Sequence, residues 1–177
     1  MFGALNFMDL SKLSSGPKPP EEVQVVIEIP IGSTAKYEMD KESGVLMVDR
    51  FQFTSFGYPA NYGFIPHTKA GDGDPVDVLV LSSQPIVHGA AIKVRPVGYF
   101  ETEDESGPDE KILAVPLETV DPFMADIKDI GDVSQAVKNK LRHFYTHYKA
   151  LEKGKWTKVG EFKDRAAALA LIKKSLQ

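Results

Sequence analysis

The sequence predicts an α+β fold in which a closed or nearly closed β-barrel is followed by helices that cover it. Between positions 23 and 117, short β-branched and aromatic runs alternate with Gly, Pro, Asp and Ser, as expected of short strands. After position 121 the apolar residues instead recur every three or four positions, which indicates helices. The chain has 177 residues, enough for one domain with one core. We therefore expect a single domain over residues 1–177.

The first 20 residues are expected to lead into this domain. Positions 14–20 read SSGPKPP, which is too rich in Pro and Gly for a helix or a central strand. Residues 1–13 are expected to form a short surface helix. Six strands are predicted to follow, at 23–29, 36–39, 45–51, 76–81, 92–100 and 111–117.

Two helices are predicted in the C-terminal part. Positions 132–135 (DVSQ) resemble a capping box, and the apolar residues after them form one stripe. Asp164 is predicted to cap a last helix over 165–176, which is rich in Ala and Leu. The stripe consists of Val137, Leu141, Phe144, Tyr145 and Tyr148.

Composition excludes several functional classes. The chain has 25 acidic and 21 basic side chains and a net charge of -4, which argues against a main role in binding nucleic acid or an anionic membrane. The absence of cysteine removes disulfides, thiolate metal sites and cysteine nucleophiles, and fits a reducing cytoplasmic compartment. No apolar run approaches the ~20 residues of a membrane-spanning helix.

The most informative segment is Asp72–Asp77 (DGDPVD), which places three carboxylates at the mouth of an apolar strand. Two like charges about 5 Å apart repel by about 3 kcal/mol at an effective dielectric constant near 20. Pro75 restricts the local backbone, so the crowding is imposed and a cation should relieve it. Hard oxygen ligands favour Mg²⁺, Mn²⁺ or Ca²⁺. An acidic surface turn remains the alternative interpretation of the segment alone.

A second acidic segment, 101–111 (ETEDESGPDEK), lies between two predicted strands and by itself is typical of a solvated loop. Together with the first segment it favours a site that holds several metal ions. Cations and phenols at strand and helix ends, such as Lys36, Arg50 and Lys149, are the groups that phosphoryl chemistry requires. No Walker A loop is present, so a phosphate group would be held by side chains.

His143 and His147 lie four positions apart on the first predicted helix and could bind a transition metal. The residues between them lack the Glu of a metalloprotease helix, so packing or a subunit contact is the favoured interpretation.

The segment Asp72–Asp77 resembles the D-[G/S/N]-D-P-x-D signature of the bacterial-type family I soluble inorganic pyrophosphatases. Further segments similar to that family recur in order over roughly residues 20–160. They are VVIEIP (25–30), KYE (36–38), VDR (48–50), YPANYG (58–63), RPVG (95–98), the spaced residues Asp104, Asp109 and Lys111, and HYKALEKGKW (147–156).

This resemblance implies a five-stranded OB-like closed barrel with flanking helices. It also implies hydrolysis of pyrophosphate to two phosphates by direct in-line attack of an activated water. The cofactor would be Mg²⁺, with several ions per site and Mn²⁺ or other divalent ions as substitutes. In bacteria such chains usually form a homo-hexamer, in which His143 and His147 would lie near a subunit interface.

The resemblance also implies individual roles. Asp74 would be the general base. Asp72, Asp77 and Asp109 would hold the metals, with Asp77 bridging, and Asp104 would help to bind a further ion. The phosphoryl groups would be held by Lys36, Arg50, Lys111, Tyr148 and Lys149, with Tyr58 and Tyr62 lining the site. Glu28, Glu38 and Glu105 would form an outer acidic shell that organises metal-bound water. The similarity assigns Lys155 to the site more weakly than the other cations.

Three other functions stay open at this point. An OB-type module for single-stranded nucleic acid fits a barrel with aromatic and Arg side chains, although the net acidity argues against it. A Ca²⁺-stabilised structural domain and a hydrolase of organic phosphates are the others. We expect neither a nucleic-acid nor a membrane partner.

Overall fold

The computed structural model describes residues 12–40 and 42–177, so the expected N-terminal helix falls almost entirely outside the described residues. Within this part, eight strands and two α-helices follow one another. The strands are β1 (Val23–Ile29), β2 (Ala35–Met39), β3 (Leu46–Phe51), β4 (Asn61–Phe64), β5 (Asp77–Val80), β6 (Ala91–Asp104), β7 (Gly107–Pro116) and β8 (Thr157–Lys163). The helices are α1 (Gln135–His147) and α2 (Arg165–Ser175).

Five strands close into a ring in the order β1, β4, β5, β7, β6 and back to β1. The β1–β6 pairing closes it, with Val23 opposite Val94. Strands β5 and β7 are parallel, whereas the other pairs in the ring are antiparallel. Strand β8 extends the sheet beyond β6, and β2 and β3 form a separate hairpin. The predicted α+β fold, a closed five-stranded arrangement with flanking helices, is confirmed.

Two apolar clusters hold the helices against the ring. Successive side chains of a strand point to opposite faces, so Val78 packs in one cluster and Leu79 in the other. The first cluster includes Ala168 and Ile172 of α2. The second includes Leu141, Phe144 and Tyr145 of α1, members of the predicted stripe. In the described part of the chain, neither helix is long and apolar enough to cross a membrane.

Strands β4 and β8 were missing from the sequence-based assignment. The NYGF sequence of β4 contains Asn and Gly, which are typical of turns. Gly63 is required because a Cβ there would lie 1.9 Å from the carbonyl oxygen of Val26 on the neighbouring strand. Strand β8 is polar and carries Gly160, so it lacks the apolar run by which the other strands were predicted.

The expectation of a solvated loop over 101–111 was wrong. Strand β6 continues to Asp104 and β7 starts at Gly107, so the acidic residues stand on a hairpin with paired backbones. A positive φ of 119° at Gly107 lets the chain reverse there. The hairpin gives Asp104 and Asp109 fixed positions.

The helix caps differ in one respect from the prediction. The N-cap of α1 is Ser134, whose hydroxyl accepts from the N–H of Val137. Asp132, expected as that cap, accepts instead from the backbone N–H groups of Lys128 and Asp129. Helix α2 is capped by Asp164, as predicted.

Candidate active site

A cleft of about 1080 Å³ gathers residues from β1 to β5, the segment before β5, the β6–β7 hairpin and the segment that follows α1. Among the predicted site residues, those that line it are Glu28, Lys36, Glu38, Arg50, Tyr62, Asp72, Asp74, Asp77, Asp104, Glu105, Asp109, Lys111, Tyr148, Lys149 and Lys155.

The cleft is strongly acidic. Ten Asp and Glu side chains and five Lys and Arg side chains line it, whereas the whole chain carries a net charge of only -4. The acidic excess of the protein is therefore concentrated in the cleft. Such a field attracts cations and, without them, repels a polyanion.

The segment Asp72–Asp77 is held by its own backbone. The N–H of Asp74 donates to a carboxylate oxygen of Asp72 at 2.9 Å, and the carbonyl of Asp74 accepts from the N–H of Ala70 at 2.7 Å. The N–H of Val76 donates to the buried hydroxyl of Thr68 at 2.9 Å. The loop backbone is thus fixed at both ends, while the carboxylates of Asp72 and Asp74 stand exposed at the cleft.

Lys111 is buried and forms ion pairs with two carboxylates. Its ammonium contacts Asp77 of β5 and lies 2.6 Å from Asp109 of its own strand. Burial lowers the pKa of Lys111, but the two carboxylates outweigh this and hold the pKa above its usual value. Burial also raises the pKa of Asp109, against the opposing effect of Lys111. The carboxylates and this cation therefore form one tightly coupled group.

A second ion-pair group joins the β6–β7 hairpin to the segment that follows α1. The ammonium of Lys149 lies 2.7 Å from Asp104 and 3.6 Å from Glu105, and Lys155 contacts Glu105 as well. Burial acts to raise the pKa of Asp104, but the hydrogen bond from Lys149 holds it below its usual value.

The third group comes from the β2–β3 hairpin. Lys36 contacts Glu38 and lies 3.2 Å from Asp49. Arg50 lies 2.6 Å from Asp49 and 3.2 Å from Glu152. Glu152 was not predicted as a site residue, because only the fold brings it to an Arg more than 100 positions away.

Glu28 lies at the inner wall of the cleft and is only 7% exposed. One carboxylate oxygen accepts from the backbone N–H of Met39 at 2.7 Å. Burial raises the pKa of Glu28 to about 7, and the negative charges of Asp77 and Glu38 add to the increase. Glu28 is therefore poised to gain or lose a proton near neutral pH.

The donor set of this cleft fits hard divalent cations. Carboxylate oxygens dominate it, and such oxygens suit Mg²⁺, Mn²⁺ or Ca²⁺ better than Zn²⁺. Within residues 12–40 and 42–177, no three acidic or His side chains converge on one point. The ammonium of Lys111 contacts both Asp77 and Asp109 and places a positive charge between these two carboxylates.

The family model for inorganic pyrophosphatase matches residues 25–177. The chain belongs to the inorganic pyrophosphatase family. The inorganic pyrophosphatase from Aquifex pyrophilus is 49% identical to this chain over 170 residues, which cover 96% of each chain. The relative from Aeropyrum pernix is also 49% identical and covers 94% of both chains. The crystal structure of the Thermus thermophilus inorganic pyrophosphatase superposes with a TM-score of 0.92 at 46% identity, covering 96% of this chain and 97% of that one.

Family membership confirms the resemblance predicted from the motifs.

Tyr58 is the one predicted pyrophosphatase site residue that does not line the cleft. It is buried behind the wall, where its ring packs 5.8 Å from Tyr62 and 5.0 Å from Phe144. His143 and His147 are exposed and lie outside the cleft, with ring centroids 4.6 Å apart.

Sequence reasoning missed His67 as a cleft residue of this pyrophosphatase-family chain. His67 lines the cleft with a positive φ of 54°, and its carbonyl accepts from the N–H of Gln177 at 3.1 Å. Gln177 thereby anchors the segment that leads into Asp72–Asp77. In the sequence, His67 shows only a turn-like context, which does not reveal that Gln177 packs against it.

Proposed function

We propose that this chain hydrolyses inorganic pyrophosphate to two phosphates with Mg²⁺ as its cofactor. The observation that carries this proposal is the meeting of the two acidic segments, 72–77 and 104–109, with five cations in one cleft. Membership of the inorganic pyrophosphatase family supports the substrate.

Asp72, Asp77 and Asp109 would hold the metal ions, and Asp104 would help to hold a further one. Two bound divalent ions would polarise phosphoryl oxygens and lower the pKa of water. The parallel pairing of β5 and β7 supports this assignment because it sets Asp77 beside the strand that carries Asp109. The exposed carboxylate of Asp72 adds oxygen ligands from the neighbouring loop.

Asp74 would take the proton from the attacking water. Its backbone is fixed by hydrogen bonds on both sides, so the side chain starts from a fixed point at the cleft. A general base acts only when it reaches the proton that it removes, and a fixed loop supplies such placement. Asp74 sits between the proposed ligands Asp72 and Asp77 in the chain, close to where the water would be activated.

The cations of the cleft would bind the two phosphoryl groups. In this structure each is paired with a carboxylate, and a bound polyanion would compete for the same ammonium and guanidinium groups. Charge that develops on the departing phosphate would be stabilised by these groups. The proposed contacts are Lys36, Arg50, Tyr62, Lys111, Tyr148 and Lys149, with Glu28, Glu38, Tyr58 and Glu105 supporting them.

Phosphate release from pyrophosphate tests this function directly. We expect turnover with Mg²⁺ that stops on addition of a chelator, and slower or no release from a nucleoside triphosphate. Absence of turnover with Mg²⁺ or Mn²⁺ would reject the proposal. Thermal stabilisation by Ca²⁺ without any phosphate release would instead indicate a structural metal domain.

We also propose a cytoplasmic homo-hexamer. The resemblance to bacterial relatives supports the assembly, and the absence of cysteine supports the compartment. Sedimentation equilibrium measures the assembly: a mass near that of a 19.5 kDa monomer would contradict it.

A further inference from the structure

Glu152 lines the cleft but belongs to neither of the two acidic segments. It lies in the turns that follow α1, and its side chain is only 11% exposed. A carboxylate at this position repels a polyanion such as pyrophosphate. Its presence in the cleft therefore requires a use that offsets this repulsion.

The side chain of Glu152 binds the guanidinium of Arg50. Its Oε1 accepts from the Nε–H of Arg50 at 3.2 Å. This bond joins the β2–β3 hairpin, which lies outside the six-stranded sheet, to the segment after α1. An ion pair removed from water often adds little to the unfolding free energy, because desolvation of each charge offsets the attraction. Stability alone therefore does not account for this pair.

The backbone of Glu152 is fixed on both sides. Its N–H donates to the carbonyl of Lys149 at 2.9 Å, and its carbonyl accepts from the N–H of Lys155 at 3.1 Å. Both lysines also form ion pairs with the β6–β7 hairpin. The carboxylate that binds Arg50 thus extends from a backbone that is tied to two other cations of the cleft.

The guanidinium of Arg50 is a planar group with five N–H donors. Two of its edges can each bind two oxygens at once: the Nε–Nη2 edge and the Nη1–Nη2 edge. Because Glu152 occupies Nε, a phosphoryl group can bind to two nitrogens only through the Nη1–Nη2 edge. Asp49 accepts one N–H of Nη1 at 2.6 Å, which leaves the second N–H of that nitrogen.

We propose that Glu152 is a positioning residue for pyrophosphate hydrolysis, which engages Nε of Arg50 and so presents the Nη1–Nη2 edge to a phosphoryl group. Glu152 itself contacts no phosphoryl oxygen, since both groups are negatively charged. This role rests on the proposed function, because it requires that Arg50 binds pyrophosphate.

The first test compares Glu152→Met and Glu152→Gln with the wild-type protein. Methionine keeps the length of the side chain but offers no oxygen to Nε, whereas glutamine keeps an oxygen acceptor and loses only the charge. We expect kcat/KM for pyrophosphate to fall about 10-fold in Glu152→Met and less in Glu152→Gln. A carboxylate that acted through charge alone would give the opposite result, because both variants would then attract the polyanion better. Glu161→Gln, exposed on β8 outside the cleft, is the control and should match the wild type.

The second test needs neither substrate nor metal. In chelator, the Nε–H proton of Arg50 should exchange with water several-fold more slowly in the wild type than in Glu152→Met, because the hydrogen bond protects it. The NMR signal of this group is identified by its absence from Arg50→Lys. In that background Glu152→Met should cause no further loss of kcat/KM, because lysine carries no N–H at the position of Nε.

Equal kcat/KM for Glu152→Met and the wild type would overturn the inference, and so would equal exchange of the Arg50 Nε–H proton. A loss that persists undiminished in the Arg50→Lys background would also overturn it, because Glu152 would then act on the fold and not through Arg50. If Glu152→Met does not fold, the same comparisons with Glu152→Gln decide between these outcomes. Failure of the proposed function is seen separately, as absence of phosphate release by the wild-type protein.

Discussion

The ammonium of Lys111 lies 2.6 Å from a carboxylate oxygen of Asp109, two positions earlier on the same strand. Residues two apart on a strand share a face, so the carboxylate of Asp109 and the ammonium of Lys111 lie side by side on β7. Asp77 reaches the same ammonium from β5. The protein's own cation therefore compensates one of the two negative charges until another cation replaces it.

Replacing Lys111 by Met should separate metal binding from turnover. Without the ammonium, Asp77 and Asp109 repel each other, so we expect Mg²⁺ to bind more tightly than to the wild type. Phosphate release should fall by about 10²–10³-fold, as on loss of one group that stabilises developing charge. Calorimetric titration and a phosphate assay measure the two effects. The control is Lys128→Met, at an exposed position outside the cleft. Weaker Mg²⁺ binding by Lys111→Met than by the wild type would contradict the expectation.

Asp74→Asn should fold and bind Mg²⁺ but release phosphate slowly. The amide keeps the shape of the side chain and leaves the backbone bonds of Asp74 in place, but it cannot take a proton. We expect a loss of about 10²–10⁴-fold in turnover number. Asp126→Asn, exposed and outside the cleft, should behave as the wild type. Near-normal turnover by Asp74→Asn would show that the base lies elsewhere.

The elevated pKa of Glu28 predicts how stability depends on pH in the metal-free protein. The folded protein holds a proton on Glu28 up to about pH 7, whereas the unfolded chain releases it near 4.5. This contribution to stability is fully present below pH 4.5 and is lost as pH rises through about 7. A shift of this size corresponds to ~3 kcal/mol, at about 1.4 kcal/mol per pKa unit.

Glu28→Gln should therefore lose this part of the pH dependence and gain stability relative to the wild type at pH 8. Urea denaturation between pH 4.5 and 8 in chelator measures the difference. The control is Glu103→Gln, at an exposed position outside the cleft. Parallel stability curves for wild type and Glu28→Gln would rule out the elevated pKa.

Thr68→Val should loosen the segment Asp72–Asp77. The valine keeps the shape of the buried side chain but leaves the N–H of Val76 without its acceptor, which costs about 1–3 kcal/mol in unfolding free energy. We also expect weaker Mg²⁺ binding. In the control Thr146→Val, the lost hydroxyl is exposed on α1 and donates to the backbone carbonyl of Arg142. Equal stability losses in the two variants would argue against a special role for Thr68.

The sequence revealed those features whose signals are local. The Val-rich strands and the apolar stripe of α1 follow from periodicity, and the segment Asp72–Asp77 shows its crowding within six residues. Such patterns are read without knowing the fold.

Features that depend on contacts between residues far apart in the chain could not be predicted from the sequence. The amide oxygen of buried Asn61 accepts from the N–H groups of Ile31 and Ile86, so an Asn that reads as a turn residue holds two loops to β4. Gly63 is required because β1 passes so close that a side chain there would clash with the backbone of Val26. The acidic hairpin carries residues that are poor strand formers, and only pairing between β6 and β7 makes it regular.

The parallel register of β5 and β7 makes activity depend on correct folding of the ring of strands. Val78 lies opposite Ile112, which sets Asp77 next to Lys111 one step earlier. A slip of one residue would point the carboxylate of Asp77 into the apolar interior and expose the fully buried Val78. A molecule that has closed its ring in the wrong alignment therefore loses its core and its chemistry at once. Regain of phosphate release during refolding would thus report ring closure without any attached probe.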